Sequence, residues 1–332
     1  MAKTVRFHEL GGPEVLKVEE VEIGEPGKGE LRIRVDAIGL NRAEALFRAG
    51  FYFYQPTLPA SGIGYEASGT VDAVGDGVDG FVPGDAVSTI PAFYMNEYAT
   101  YGEQVIVPAA AAVRRQEGID AVTSAAVWIA YTTAYGMLVE IGQIGAGDTV
   151  LITAASSSVG LAAIQIANHL GAIPIATTRT SDKKQQLLQA GAAHVIATEE
   201  EDLVTRVRAL TGDGGVELAV DAIGGAGVHT VVSSVVRGGT LVLYGALDPS
   251  PMPLPFADDG RGRNIRWYYF AELTLDQPQQ LRRAELFINA GLRSGSLSPV
   301  IDRTFDLDDV VEAHRYLESN AQVGKIVLTV RH

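Results

Sequence analysis

The sequence predicts a two-domain α/β protein: a β-rich module joined to a doubly wound parallel-sheet module. Three observations carry this. The chain has 332 residues, about twice the usual domain length, so two cores are expected rather than one. Its first 120 or so residues read as short apolar runs between Gly and Pro punctuation. From about residue 123 onward, strand and helix patterns alternate five times. The β-rich module is assigned to 1–122 and 296–332 and the parallel-sheet module to 123–295, which makes the first discontinuous if the last strand returns to it.

In the first module, Leu31-Arg32-Ile33-Arg34-Val35 alternates apolar and charged residues, as a half-buried strand does. A second strand runs from Gly69 to Val74 and is bounded by Gly75-Asp76-Gly77. Val82-Pro83-Gly84-Asp85-Ala86-Val87 is a turn feeding a third. A helix is expected over Ala43 to Arg48, ended by Gly50. In the second module, Asp148 to Thr153 is a buried strand, followed by a small-residue turn and a helix with Val159, Ala163, Ile166 and Leu170 on its apolar face, closed by Gly171. Then come the strand Ile173 to Thr177, with Pro174 tolerable only near its start, a helix from Asp182 to Ala190 and the strand His194 to Ala197. A helix over Leu203 to Leu210, the strand Val216 to Asp221, a further helix and the strand Thr240 to Gly245 complete the series. After a proline-rich loop, Pro249 to Pro255, the pattern gives a strand at Ile265 to Phe270, helices over Gln279 to Ala290 and Leu307 to Leu317, and a last strand at Lys325 to Val330.

Composition excludes several functions. With 47% hydrophobic and 20% charged residues the chain is an ordinary globular protein. A formal net charge of −14, with no Lys/Arg-rich run, weighs against nucleic acid and acidic membrane surfaces as partners. The absence of cysteine excludes disulfides, thiolate zinc sites and thiol nucleophiles. The six histidines, His8, His169, His194, His229, His314 and His332, stand singly without short ligand spacing, so no metal site is assigned. Met1-Ala2-Lys3-Thr4-Val5-Arg6 lacks the apolar core of a signal peptide, and a cytoplasmic location is expected. The uncharged run Ala121 to Val139 approaches spanning length, but its Thr, Ser and Gly residues and its acidic flanks, Asp120 and Glu140, mark buried helices rather than a membrane span.

The turn after the first parallel strand reads Ala154-Ala155-Ser156-Ser157-Ser158-Val159-Gly160. In a dinucleotide fingerprint, small residues let the backbone approach the pyrophosphate, and the next helix presents its N-terminus to the charge. Ala155 and Ser157 stand where the first two fingerprint glycines would be, and only Gly160 remains. In isolation the segment reads equally as an ordinary strand-to-helix turn; its place at the head of five alternations makes it a dinucleotide site. At the end of the second strand, Thr178 stands where an NAD enzyme places an acid for the ribose hydroxyls, and Arg179 and Lys183 follow. Two cations without a carboxylate suit a 2′-phosphate, so NADPH is the expected cofactor. The alternative is that both are solvated charges at a helix start.

Gly64-Tyr65-Glu66-Ala67-Ser68-Gly69-Thr70-Val71, with Gly75 and Val82 to Val87, resembles the first-domain signature of the medium-chain dehydrogenase/reductase superfamily. Its zinc-containing alcohol dehydrogenases carry zinc ligands, a histidine and a cysteine, at the positions of Tyr65 and Asn41; both are replaced here, and the four-cysteine lobe is missing. Ala37 to Glu44, Gly50-Phe51-Tyr52, Pro59 to Gly62, Ile129 to Ala134, Ala155 to Gly160 and Gly324-Lys325-Ile326-Val327 resemble the zinc-independent quinone and enone/enal reductases. The resemblance covers essentially the whole chain. It implies a GroES-like domain plus a Rossmann domain, an NADPH-dependent oxidoreductase and a small-molecule quinone or enone/enal substrate. It further implies Asn41 and Tyr52 beside nicotinamide and substrate, as the catalytic candidates, and Thr132 near the nicotinamide end. Ala155, Ser156, Ser157, Ser158 and Val159 would meet the pyrophosphate, with Thr178, Arg179 and Lys183 at the adenosine phosphate. Tyr244, Gly245 and Ala246 would line the cofactor cleft, with Asn320 near the nicotinamide. Glu66 reads as a structural acid. A homodimer is expected through the edge strand Ile265 to Phe270.

Without a Lewis acid, simple alcohol oxidation is disfavoured and conjugated acceptors remain, their developing enolate stabilised by Tyr52 or Asn41. Two other readings stay open: a metal-assisted alcohol dehydrogenase, and an NADPH-binding structural or regulatory protein without turnover.

Overall fold

The computed structural model describes residues 1–253 and 261–332. The end of the proline-rich loop, residues 254 and 255, lies outside the described residues. The chain divides into two compact units, residues 1–129 with 299–332, and residues 130–298.

The first unit opens with an antiparallel pair, β1 (Ala2–Arg6) and β2 (Lys17–Val21). Next come β3 (Glu30–Gly39), α1 (Arg42–Arg48), β4 (Glu66–Val74), β5 (Ala86–Thr89), β6 (Gln104–Pro108), β7 (Ala112–Arg114) and the short α2 (Ala121–Ser124). Apolar residues of β3 alternate toward the core, with Leu31, Ile33 and Val35 buried, as the sequence pattern requires. Gly50, at φ 79°, turns the chain after α1. Gly39 has a steric reason: a Cβ there would lie 2.0 Å from the Ala125 carbonyl oxygen.

The second unit begins with α3 (Trp128–Tyr135), whose first two residues belong to the other unit and which runs on into a π-helical turn, Gly136–Ile141. By length and composition the stretch Ala121–Ile141 could cross a membrane, but 83% of its most apolar window is buried inside the protein, which makes it core. Six parallel strands follow: β8 (Thr149–Ile152), β9 (Ile173–Thr178), β10 (His194–Ala197), β11 (Val216–Asp221), β12 (Val235–Leu243) and β13 (Asn264–Trp267). Between them lie α4 (Ser158–His169), α5 (Lys184–Gln189), α6 (Leu203–Leu210) and α7 (Val228–Ser233). The order β10-β9-β8-β11-β12-β13 reverses direction beside β8, the topological switch of a Rossmann sheet. Leu151, Ile175, Ile196, Val207, Ala219 and Leu241 form its core, and Pro174 sits second in β9.

The strand expected over Ile265 to Phe270 is shorter. Tyr269 and Glu272 form a reciprocal cap that starts a helix, α8 (Phe270–Thr274), so local capping ends β13 at Trp267. The long α9 (Pro278–Ser294) ends at Gly295 in the left-handed region, φ 74°. The chain then returns to the first unit with β14 (Ile301–Asp306), α10 (Val310–Ser319) and β15 (Lys325–Thr329). β15 pairs antiparallel with β3, completing a seven-stranded sheet in which β14-β15-β3-β4-β5-β7 run side by side and β6 also pairs β3. The architecture is a GroES-like β-rich domain plus a Rossmann domain.

Candidate functional site

In the Rossmann unit, the turn from β8 to α4 is shaped by small residues. Ala155 is fully buried, and its amide donates to the Thr177 carbonyl at 3.3 Å. Ala154 takes φ 45°, the left-handed conformation in which fingerprints favour glycine. At Gly160 a Cβ would meet the Ala155 Cα and carbonyl oxygen at 2.6 Å, so this glycine alone of the fingerprint is sterically enforced. Ser157 caps α4, its Oγ accepting from the Gly160 amide at 3.1 Å. The amides of Ser158 and Val159 in the first helical turn have no intrahelical acceptor, which is the arrangement that favours a pyrophosphate.

Three further strand ends, those of β9, β11 and β12, complete the rim. From the loop after β9, the half-buried Lys183 ammonium reaches Ser156 Oγ at 3.4 Å, so a cation stands against the turn. Thr178 ends β9 half-buried and Arg179 is exposed. Tyr244 follows β12, with Gly245 and Ala246 after it; burial pushes its hydroxyl well above the ordinary tyrosine range, reinforced by the Asp221 carboxylate. Asp221, at the end of β11, is buried and has no obvious marker in the sequence. Its carboxylate accepts from Thr153 Oγ1 and from the amides of Ile223 and Gly224, both at 3.0 Å, which ties the ends of β8 and β11 together. Burial raises its pKa. Thr132 is buried in α3. These residues fit a dinucleotide: small side chains, a helix N-terminus, hydroxyls and a cation converge on one turn.

In the GroES-like unit, Asn41 immediately precedes α1, without a side-chain cap to its amides, and is 7% exposed. Its Nδ2 donates to the Gly39 carbonyl at 3.2 Å and to Glu44 Oε1 at 3.1 Å, and its Oδ1 accepts from Lys325 Nζ at 2.6 Å. Both amide protons are thus engaged within the protein, leaving one acceptor lone pair for a bound molecule. Lys325 also lies 2.6 Å from Glu66 Oε2, while Glu66 Oε1 accepts from the Ile129 amide at 3.2 Å. Glu44, fully buried, is pushed up to about 7 by desolvation, against the pull of Lys325 and the Asn41 hydrogen bond. One ammonium neutralises one carboxylate, so the second is held toward its protonated form. Asn320 closes α10 in the left-handed region, φ 59°, and its side-chain oxygen accepts from Arg42, the residue after Asn41.

Tyr52 belongs to an aromatic cluster. Its ring centroid lies 5.1 Å from Tyr54, 6.3 Å from Phe47 and 6.4 Å from Tyr65. Its hydroxyl accepts from Tyr65 Oη at 3.3 Å, and Tyr65 Oη also contacts Tyr54 Oη. Sequence reading singles out Asn41 and Tyr52 but not Glu44, Lys325 or Tyr54 as their partners. No local pattern announces these links, since Lys325 is 284 residues from Asn41.

Residues 27–117 match the alcohol dehydrogenase GroES-like domain family and residues 158–281 the zinc-binding dehydrogenase family. The quinone oxidoreductase of Homo sapiens is 30% identical over 99% of this chain and 98% of that protein. The 2-haloacrylate reductase of a Burkholderia species is 28% identical over 99% of each. Among solved structures, Escherichia coli quinone oxidoreductase complexed with NADPH superposes with a TM-score of 0.90 at 29% identity, over 98% of this chain and 99% of that one. An NAD-dependent alcohol dehydrogenase does so with 0.89 at 32% identity, over 99% and 100%. The zinc in the second family's description does not fit the donors present. The Asn41 oxygen faces the Lys325 ammonium, and Tyr65 is held as a neutral phenol, its pKa raised by burial and by Tyr52 and Tyr54. Among the described residues no three His, Asp or Glu side chains converge on a metal-sized site. Fold, signature and full-length similarity together place this chain in the quinone oxidoreductase-like family of the medium-chain dehydrogenase/reductase superfamily.

Proposed function

We propose that the protein is an NADPH-dependent reductase that delivers hydride to a conjugated acceptor, a quinone or an α,β-unsaturated carbonyl, without metal assistance. The observation that carries this reading is the buried Lys325 ammonium against Asn41 and Glu66: a fixed cation already stands against the Asn41 Oδ1 and Glu66 Oε2 oxygens that a metal would need. An acceptor that takes hydride at a conjugated carbon needs no Lewis acid, because its charge delocalises onto an oxygen that hydrogen bonds can stabilise. The names of the relatives agree, since one acts on quinones, another is a 2-haloacrylate reductase, and the Escherichia coli neighbour is complexed with NADPH.

In this reading Ser156, Ser157, Ser158 and Val159 hold the pyrophosphate, with Ala155 small enough to let it approach. Arg179 and Lys183 meet the 2′-phosphate beside Thr178. Tyr244, Gly245 and Ala246 line the dinucleotide, and Thr132 and Asn320 lie toward its nicotinamide. When bound, the dinucleotide supplies the hydride. Tyr52 donates a hydrogen bond, then a proton, to the developing enolate oxygen. Asn41 accepts one hydrogen bond from the bound molecules through its remaining lone pair.

A second reading, alcohol oxidation with NAD, is favoured by one observation, the 32% identical structural neighbour described as an NAD-dependent alcohol dehydrogenase. Cofactor oxidation is to be followed with quinones, enals, enones and simple ketones, and cofactor reduction with alcohols, each with and without a chelator. Chelator-insensitive NADPH oxidation by quinones or enones is expected. Chelator-sensitive alcohol oxidation with NAD would replace this reading with the second, and cofactor binding without any turnover would replace both.

A further inference from the structure

We infer that Tyr54 and Tyr65 form with Tyr52 a one-way chain of hydroxyls, which makes Tyr65 the positioning residue that readies Tyr52 for proton donation. The inference rests on the reductase reading for its reaction, and on the GroES-like unit alone for its geometry.

The direction of the chain follows from counting protons. A phenol has one proton to give and lone pairs to accept with. The Met95 amide donates to Tyr54 Oη at 2.8 Å. Tyr65 Oη donates to Tyr52 Oη at 3.3 Å. The Tyr65 proton is therefore committed to Tyr52, so the contact between Tyr54 and Tyr65 has Tyr54 as its donor. Every link points the same way: Met95 N–H to Tyr54, Tyr54 O–H to Tyr65, Tyr65 O–H to Tyr52. Hydrogen bonds in series polarise one another, so the last hydroxyl is the most acidified.

The surroundings keep the chain intact. Tyr65 is 1% exposed, and burial holds the Tyr54 and Tyr65 hydroxyls well above the ordinary tyrosine range, so both remain donors throughout neutral pH. Their rings are fixed by neighbours: Tyr54 lies 5.3 Å from Phe47 and 5.1 Å from Tyr94, and Tyr65 lies 5.7 Å from Phe93. Tyr52 is only partly buried, so water can restore its proton.

With the reduced dinucleotide of the proposed reaction as the hydride donor, the step balances without a further reagent. Hydride addition to the conjugated carbon leaves an electron pair on the enolate oxygen. The Tyr52 O–H bond breaks, its proton moves to that oxygen, and the bonding pair stays on Tyr52 as phenolate. The Tyr65 hydrogen bond strengthens as that charge develops, which makes it a transition-state interaction. A proton from water then restores Tyr52.

The test compares wild type, Tyr52→Phe, Tyr65→Phe and the double variant, with two readouts. In ultraviolet difference titration of the cofactor-free protein, the transition missing from Tyr52→Phe belongs to Tyr52. In Tyr65→Phe it should move up by about one pH unit, the effect of losing one hydrogen bond to the charged form. In turnover with the best acceptor, Tyr65→Phe should lower kcat about tenfold in the wild-type background and leave it unchanged in the Tyr52→Phe background, because Tyr65 acts through Tyr52. A merely structural tyrosine would cost the same in both backgrounds. If Tyr65→Phe does not fold, Tyr54→Phe should move the same titration in the same direction by a smaller amount. An unmoved titration in whichever variant folds, or an additive loss of kcat, overturns the inference. The titration shift in a wild-type protein that turns over no acceptor would support the hydroxyl chain and sink the reductase reading instead.

Discussion

The Lys325 ammonium lies 2.6 Å from the Glu66 carboxylate with both side chains fully buried, and the pair joins the start of β15 to the start of β4. A buried ion pair is sensitive to the loss of either partner, since the survivor is left charged in a low-dielectric interior. Lys325→Met should therefore destabilise the protein by about 3–5 kcal/mol in urea denaturation. Lys325→Met/Glu66→Gln, which removes both charges, should recover much of that loss. Single and double variants that lose the same stability would show that the pair is not electrostatically coupled.

Glu44 and His314 give the GroES-like unit two opposed pH dependences. The Glu44 carboxyl is raised by burial to about 7 from 4.5, so the stability it contributes is present below about pH 4.5 and is lost as pH rises through about 7. Burial, with Arg48 and Arg42 nearby, lowers His314 to about 3 from 6.5, so its contribution is present above about pH 6.5 and is lost as pH falls toward 3. Between about pH 4.5 and 6.5 the two slopes oppose each other. Glu44→Gln removes the first. Its stability relative to wild type should therefore rise between pH 4.5 and 7.5 by on the order of 3 kcal/mol, whatever constant offset the new amide introduces. Denaturation midpoints differing by the same amount at both ends of that range would contradict the assignment.

What was legible in the sequence is what is local. The parallel strands carry short apolar runs, the helices between them end at glycines such as Gly171, and the dinucleotide turn is seven consecutive residues, so all three can be read along the chain. β14 is missed because Ile301-Asp302-Arg303-Thr304-Phe305-Asp306 is mostly polar and only partly buried, without the apolar alternation that marks a strand. Lys325 opens the apolar run of the last strand, and only the fold brings it against Glu66, 259 residues away. Tyr65 reads as a replaced zinc-ligand position, and its partner Tyr54 as one of four consecutive aromatics. Their hydroxyl contact depends on how the loop after α1 folds back over β4, which no periodicity encodes.

Among the described residues β13 is the last strand of the parallel sheet, pairing β12, and its Ile265 and Trp267 are 37% and 45% exposed. An apolar edge strand left open invites pairing with other chains. A second copy of this chain covering that edge by two-fold symmetry would remove the liability. Light scattering at micromolar concentration should give twice the chain mass, and Ile265→Lys/Trp267→Lys should shift the protein toward monomer. A wild-type monomer at that concentration would rule this out.

Cofactor choice should reside in the loop after β9. Thr178 offers no carboxylate to pair with free ribose hydroxyls, and the Lys183 ammonium already stands 3.4 Å from Ser156 Oγ, with Arg179 exposed beside it. A charge-assisted hydrogen bond to a 2′-phosphate contributes roughly 1.5–3 kcal/mol. Losing one should weaken NADPH binding by about tenfold to a hundredfold while leaving NADH nearly unaffected. Arg179→Ala/Lys183→Ala should accordingly bring the two affinities together in calorimetric titration. Thr178→Asp should reverse their order, because a carboxylate accepts from the ribose hydroxyls of NADH and repels the phosphate of NADPH. The salt dependence supplies a control: raising ionic strength should erode NADPH affinity in wild type and much less in the double variant. If wild type binds both cofactors equally, or the double substitution weakens both alike, Arg179 and Lys183 are solvated charges and the 2′-phosphate has no site here.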